Sequence, residues 1–155
     1  MSHFYLDASA VVKRYTPEPG STLIEAMTAS TSGHTIILSE ITLVEVAAAL
    51  AAKRRTPGGI TGKERDDSLA LFLSHCQTDY ELVSVRRSII DRAVTLTQSH
   101  KLRGYDAMQL ATAVVANEAL IAAGLSCLTF VAADDDLIAA ARAESLAVEN
   151  PNLHS

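Results

Sequence analysis

Short apolar runs of strand type alternate with longer stretches of helical periodicity along the whole chain, and this alternation restricts the fold more than any other feature. His3–Leu6, Thr35–Leu38, Glu81–Val85 and Cys127–Val131 read as strands, with Leu146–Glu149 as a fifth. Between them Ser9–Tyr15, Ser21–Thr28, Ile41–Arg55, Thr61–His75, Ser88–Ser99, Tyr105–Ala123 and Leu137–Ala143 read as helices. Strands alternating with helices imply a parallel sheet covered on both faces. The expected class is α/β: a three-layer α/β/α domain on a short parallel sheet of four to five strands.

Local signals fix several boundaries. Ser39 is placed to cap Ile41–Arg55, and Thr61 with Glu64 has capping-box spacing. Thr56-Pro57-Gly58-Gly59 must break a helix, as a turn within a helical hairpin, and Gly124 sits where a long helix should end. No internal repeat or low-complexity segment interrupts the pattern, so the 155 residues are expected to form one domain spanning 1–155.

Four acids stand at the edges of apolar elements, where a bare carboxylate is least expected. They are Asp7 in HFYLDASAVV, Glu45 in ITLVEVAAAL, Asp106 in RGYDAMQLATA and Asp134 in FVAADDDLIAAA. Asp7 and Asp134 each follow a strand and precede a helix, so both should reach the crevice beyond the carboxyl ends of the strands. Helix capping explains either of them equally well, and one residue can serve both ends. Capping is also open to Asp106, at the start of the longest apolar helix. Glu45 is different. Its helical neighbours are Ile41, Thr42, Ala48 and Ala49, with Lys53 the nearest cation ahead of it. Burying a lone carboxylate there costs several kcal/mol or forces protonation. Clustered carboxylates repel one another, and a divalent cation is the common remedy. An all-oxygen set suits Mg²⁺ or Mn²⁺. Asp136, two residues beyond Asp134, is a candidate fifth ligand or water-positioning group.

Other chemistries lack residues to carry them. The five histidines show no HxxxH or HxxH spacing, and Cys76 and Cys127 form no pair with a zinc signature. There is no GxxxxGK[ST], GxGxxG or GxSxG. The net charge of −5 argues against a globally basic nucleic-acid surface, though bound metal would reverse the sign locally. Two unpaired cysteines suggest a reducing, cytoplasmic setting. With no basic leader and no run of 18 apolar residues, neither secretion nor a membrane span is expected.

With those residues in view, the chain resembles the PIN-domain ribonucleases, and most closely the VapC-type toxins of toxin–antitoxin pairs. FYLDASAVVKRYTPEPGS, SEITLVEVAAAL, LRGYDAMQLATA and FVAADDDLIAAA match in the family's order and span nearly the whole chain. The family's acidic quartet falls on Asp7, Glu45, Asp106 and Asp134, and Ser9 matches a small hydroxyl residue two positions after the first Asp. Members often carry Ser or Thr two residues before the last Asp. Here that residue is Ala132, which removes one hydroxyl from the implied set.

The resemblance implies a PIN-like α/β/α nuclease domain and an Mg²⁺- or Mn²⁺-dependent endoribonuclease hydrolysing RNA phosphodiester bonds. It further implies a homodimer neutralised by a cognate antitoxin. Asp7 would be the central metal ligand, with Asp106 beside it and Glu45 and Asp134 completing the shell directly or through water. Lys13-Arg14, Lys53-Arg54-Arg55, Lys63, Arg65, Lys101 and Arg103 are candidates for contacting the substrate backbone. Two rivals keep an acidic pocket. A PIN-fold RNA-binding or RNA-processing protein without a toxin role needs the same frame. An Mg²⁺-binding receiver-type signalling module fits less well: Leu6 precedes Asp7 where a second acid is wanted, and Ala132-Ala133 follows the strand where a lysine is wanted. A DxD phosphatase fails at Ser9.

Overall fold

The computed structural model describes residues 2–154. Five strands, β1 (His3–Leu6), β2 (Thr35–Ser39), β3 (Glu81–Val83), β4 (Leu128–Val131) and β5 (Ala147–Glu149), form one sheet in the order β3-β2-β1-β4-β5. Every pairing is parallel, with Phe4 opposite Ile36 and Thr129, and Val131 opposite Glu149. The α/β expectation holds, at the upper end of the expected strand number.

Alternation along the central strands divides the core in two. Tyr5, Ile37, Leu128 and Phe130 point to one face, beneath α5 (Arg87–Ser99), α6 (Gly104–Ala122) and α7 (Asp135–Ala143). Leu6, Ile36, Leu38 and Val131 point to the other, beneath α1 (Ala8–Val11), α2 (Ser21–Thr28), α3 (Ile41–Arg55) and α4 (Gly62–Thr78). A period of two on strands buried from both sides produces this split. The Tyr5 and Phe130 rings stack across the β1–β4 pair with centroids 5.6 Å apart.

Sequence order explains where the crevice falls. The chain runs from β1 outward to β2 and β3, then returns through α5 and α6 to β4 on the far side of β1. The strand order thus reverses at the β1–β4 pair, and ligand sites in open α/β sheets form at the carboxyl ends of strands at such a point.

The expected boundaries hold within a few residues, with instructive exceptions. The segment Ser9–Tyr15 is one turn of α-helix followed by a 3-10 turn at Val12–Arg14, a tightening common where short helices end. Ser39 belongs to β2, and its hydroxyl accepts from the Ile41 N–H at 3.3 Å; Glu40 occupies the capping position without a side-chain bond. β3 stops at Val83, short of Val85. Both halves of the Thr61–Glu64 capping box are present. Gly124 follows α6 at φ 74°, the left-handed conformation that glycine adopts without strain. Among the described residues no helix is long and apolar enough to cross a membrane.

Candidate active site

Asp7 follows β1 directly and caps α1. Its backbone N–H donates to the Val131 carbonyl at 3.1 Å, extending the β1–β4 ladder by one step. Its Oδ1 accepts from the Ala10 N–H at 3.0 Å and from the Ser9 hydroxyl at 2.7 Å. Ser9 Oγ in turn accepts the Ala133 N–H at 3.0 Å. Only 5% of Asp7 is exposed. Burial pushes its carboxyl up to about 7 against the opposing pull of the Ser9 and Ala10 bonds, and the charges of Glu45 and Asp106 add to the rise.

Glu45 projects from the second turn of α3 toward the same place. Its carboxyl is also raised, chiefly by burial, with a Gln109 hydrogen bond opposing and the Asp106 charge adding. Gln109 lies on α6 and donates through Nε2 to Glu45 Oε1 at 2.5 Å and to Thr42 Oγ1 at 3.0 Å. Tyr5 closes this group by donating its hydroxyl to Gln109 Oε1 at 2.6 Å. Lys53, the nearest cation ahead of Glu45 in sequence, instead pairs with Glu18 at 3.6 Å.

Asp106 lies in the first turn of α6 and is not its cap. Its Oδ2 accepts from Arg103 Nε at 3.2 Å. Asp134 does cap α7, with Oδ1 accepting the Leu137 N–H at 2.9 Å. Asp106, Asp134 and Asp136 line one cleft of about 510 Å³, bounded opposite by the loop His100–Arg103. Lys101 lies 3.7 Å from Asp136, and both Lys101 and Arg103 are almost fully exposed. Of the cations considered from sequence, these two line the acidic cleft. Lys13 is buried beside Glu18 at 3.9 Å, Arg14 donates to the Tyr80 hydroxyl, and Lys63 and Arg65 pair with Asp67 and Asp66.

The charges of Glu45 and Asp106 thus bear on Asp7, and that of Asp106 on Glu45, while Asp106 also lines the adjoining cleft with Asp134 and Asp136. The four expected carboxylates share one arrangement. Each has one oxygen held by a donor, namely Ser9 and Ala10, Gln109, Arg103 and Leu137 respectively, and a second oxygen with no hydrogen bond among the described residues. Among those residues no group of three His, Cys, Asp or Glu side chains closes into a ready coordination sphere. Positioned carboxylates with free oxygens nonetheless suit a hard divalent cation, which would relieve the repulsion that helps raise Asp7 and Glu45. Gln109, Thr42 and Tyr5 escaped the sequence reading. The available signal was a single amide three residues after Asp106, hence on the same helical face.

The chain belongs to the PIN domain family, whose model matches residues 4–143. Similar folds occur in a toxin–antitoxin complex from Klebsiella pneumoniae (17% identity, TM-score 0.61, covering 96% of this chain and 97% of that one). VapBC2 from Rickettsia felis, solved bound to a promoter DNA fragment, is similar at 16% identity and TM-score 0.64, covering 96% and 98%. VapC20 from Mycobacterium tuberculosis, a toxin that cleaves the sarcin–ricin loop, is similar at 19% identity and TM-score 0.59, covering 88% and 94%. No curated protein matches the chain by sequence.

Proposed function

We propose that this protein is an Mg²⁺- or Mn²⁺-dependent endoribonuclease acting as the toxin of a toxin–antitoxin pair, with residues 1–155 forming one PIN nuclease domain. The observation that carries this reading is that the buried Asp7 carboxyl, beside the β1–β4 pair, feels the charges of Glu45 and Asp106, and each of the three has one oxygen held by a donor and one free. Membership of the PIN family supports the nuclease class, and the VapC-type folds support the toxin role.

Asp7, Glu45, Asp106 and Asp134 would hold the ion, with Asp7 central because the charges of Glu45 and Asp106 bear on it. When bound, a divalent ion there would supply charge neutralisation and acidify water for phosphodiester hydrolysis. The chain's own residues do the rest. Ser9 and the Ala10 N–H orient Asp7, the α7 N-terminus orients Asp134, and Arg103 orients Asp106. Lys101 and Arg103 face the cleft where the flanking phosphates of an RNA strand would run.

The protein works as a cytoplasmic homodimer bound by a cognate antitoxin. Exposed apolar side chains on α4 (Leu71, Leu73) and α5 (Ile90, Val94), with Tyr105 on α6, support self-association. Purified free of antitoxin, the protein should cut single-stranded or looped RNA with Mg²⁺ or Mn²⁺ and stop in EDTA. Expression should slow growth, and Asp7→Asn should abolish both effects. Cleavage that persists in EDTA or in Asp7→Asn overturns the mechanism.

A further inference from the structure

We propose that Gln109 is a positioning residue, whose buried amide fixes one oxygen of Glu45 and so aims the other at the space shared with Asp7 and Asp106. The inference rests on the nuclease reading and deepens it.

Backbone geometry creates the need. Asp7 and Asp134 lie at helix N-termini, where free N–H groups hold one carboxylate oxygen each. Glu45 lies inside α3, where the surrounding N–H groups are already engaged within the helix. A long, flexible glutamate there has no main-chain donor to hold it. A side chain must serve, and Gln109 on α6 reaches it across 64 residues of sequence at 2.5 Å.

The amide has one consistent orientation. A carboxylate oxygen only accepts, so the nitrogen must face Glu45, and it gives its second hydrogen to Thr42 Oγ1. Gln109 Oε1 then faces the Tyr5 hydroxyl, which donates to it. Gln109 is 1% exposed and Tyr5 0%, so water does not replace either partner. Turning the amide over would set two acceptors against each other at Glu45. The clamp is also tied to the rest of the site. Tyr5 lies two residues before Asp7 on β1, and Gln109 lies one helical turn after Asp106 on α6. Movement of either carboxylate-bearing element is therefore felt at Glu45.

The test is Mn²⁺ binding to the metal-free protein, measured by calorimetry and by the Mn²⁺-induced rise in unfolding temperature. Gln109→Met, similar in shape but without the donor, should weaken Mn²⁺ affinity by about 10-fold or more, the usual cost of losing a group that orients a metal ligand. Tyr5→Phe frees the amide without touching Glu45, is the milder change, and should weaken it in the same direction. Both effects should vanish in a Glu45→Ala background, because a clamp with nothing to hold contributes nothing. Unchanged affinity in both Gln109→Met and Tyr5→Phe overturns the proposal. So does an equal loss with and without Glu45, which would make the amide a support of the fold. A wild type that takes up no Mn²⁺ removes the nuclease reading itself, and the clamp with it, which separates the two failures.

Discussion

Ser9 is bonded to Ala133 across 124 positions of sequence, its hydroxyl oxygen accepting the Ala133 N–H at 3.0 Å while its proton goes to Asp7. One side chain thereby ties the start of α1 to the loop after β4, at the point where the strand order reverses. Ser9→Ala removes both bonds and leaves a partly buried N–H without its partner. The expected cost is about 1–3 kcal/mol, with the unfolding midpoint lowered by roughly 2–4 °C per kcal/mol for a domain of this size. RNA cleavage should fall as well. Thermal unfolding and a cleavage assay on the same preparation check both.

Asp7 gives the metal-free protein an unusual pH dependence. Its carboxyl is raised from 3.8 to about 7, so the folded chain holds a proton there that the unfolded chain releases. That contribution is fully present below about pH 3.8 and is lost as pH rises through about 7. Between pH 5 and 8 in EDTA, Asp7 should therefore lower stability as pH increases, by an amount on the order of a few kcal/mol. Asp7→Asn keeps an acceptor for Ser9 and Ala10 and carries no charge. It should unfold at a higher temperature than the wild type at pH 8 in EDTA, with a flatter dependence on pH, while losing Mn²⁺ affinity. A variant no more stable than the wild type under those conditions would contradict the burial argument.

Lys101 and Arg103 should act on RNA by neutralising phosphates. Changing either to Ala, in an Asp7→Asn background that does not cut, should weaken binding across unrelated sequences. The slope of log affinity against log salt should shrink by about 0.7 for each single-strand phosphate that is no longer neutralised. Filter binding at several salt concentrations measures this. Arg54→Ala, away from the acidic cleft, should leave the slope unchanged.

Self-association should depend on the outer face of α5. Val94 is 59% exposed and Ile90 40%, and both line an apolar cleft of about 390 Å³ with Tyr105 and Met108. Val94→Arg should convert a dimer to a monomer in light scattering at tens of micromolar. Its unfolding temperature extrapolated to low concentration should match that of the wild type.

How much of this was legible in the sequence follows from the range of the interactions involved. Period-two and helical patterns are local, so the strands, the Thr61 capping box and the Gly124 stop could be read directly. The carboxylates could be read because an acid inside an apolar element is costly wherever it lies. Their partners could not. Lys53 is two turns from Glu45 on the same helix yet pairs with Glu18 across the fold, while the donor that holds Glu45 comes from α6. A buried glutamine in an apolar helix carries no charge to flag it, and its importance depends on Tyr5 and Thr42, which are distant in sequence. Which basic residues face the site likewise depended on the path of the loop His100–Arg103 before α6.

The place of β1 in the sheet bears on when the site can form during synthesis. It is made before the other four strands, yet it occupies the middle of the sheet and needs β4 beside it to complete both edges. The N–H of Asp7 has no carbonyl to meet until Val131 has been made, Ser9 has no N–H to accept until Ala133 has been made, and Asp134 arrives later still. Pairing of such distant segments comes late in folding. A growing chain therefore carries everything from β1 to α6 before the pocket exists, and the site is complete only once β4 and the start of α7 have emerged.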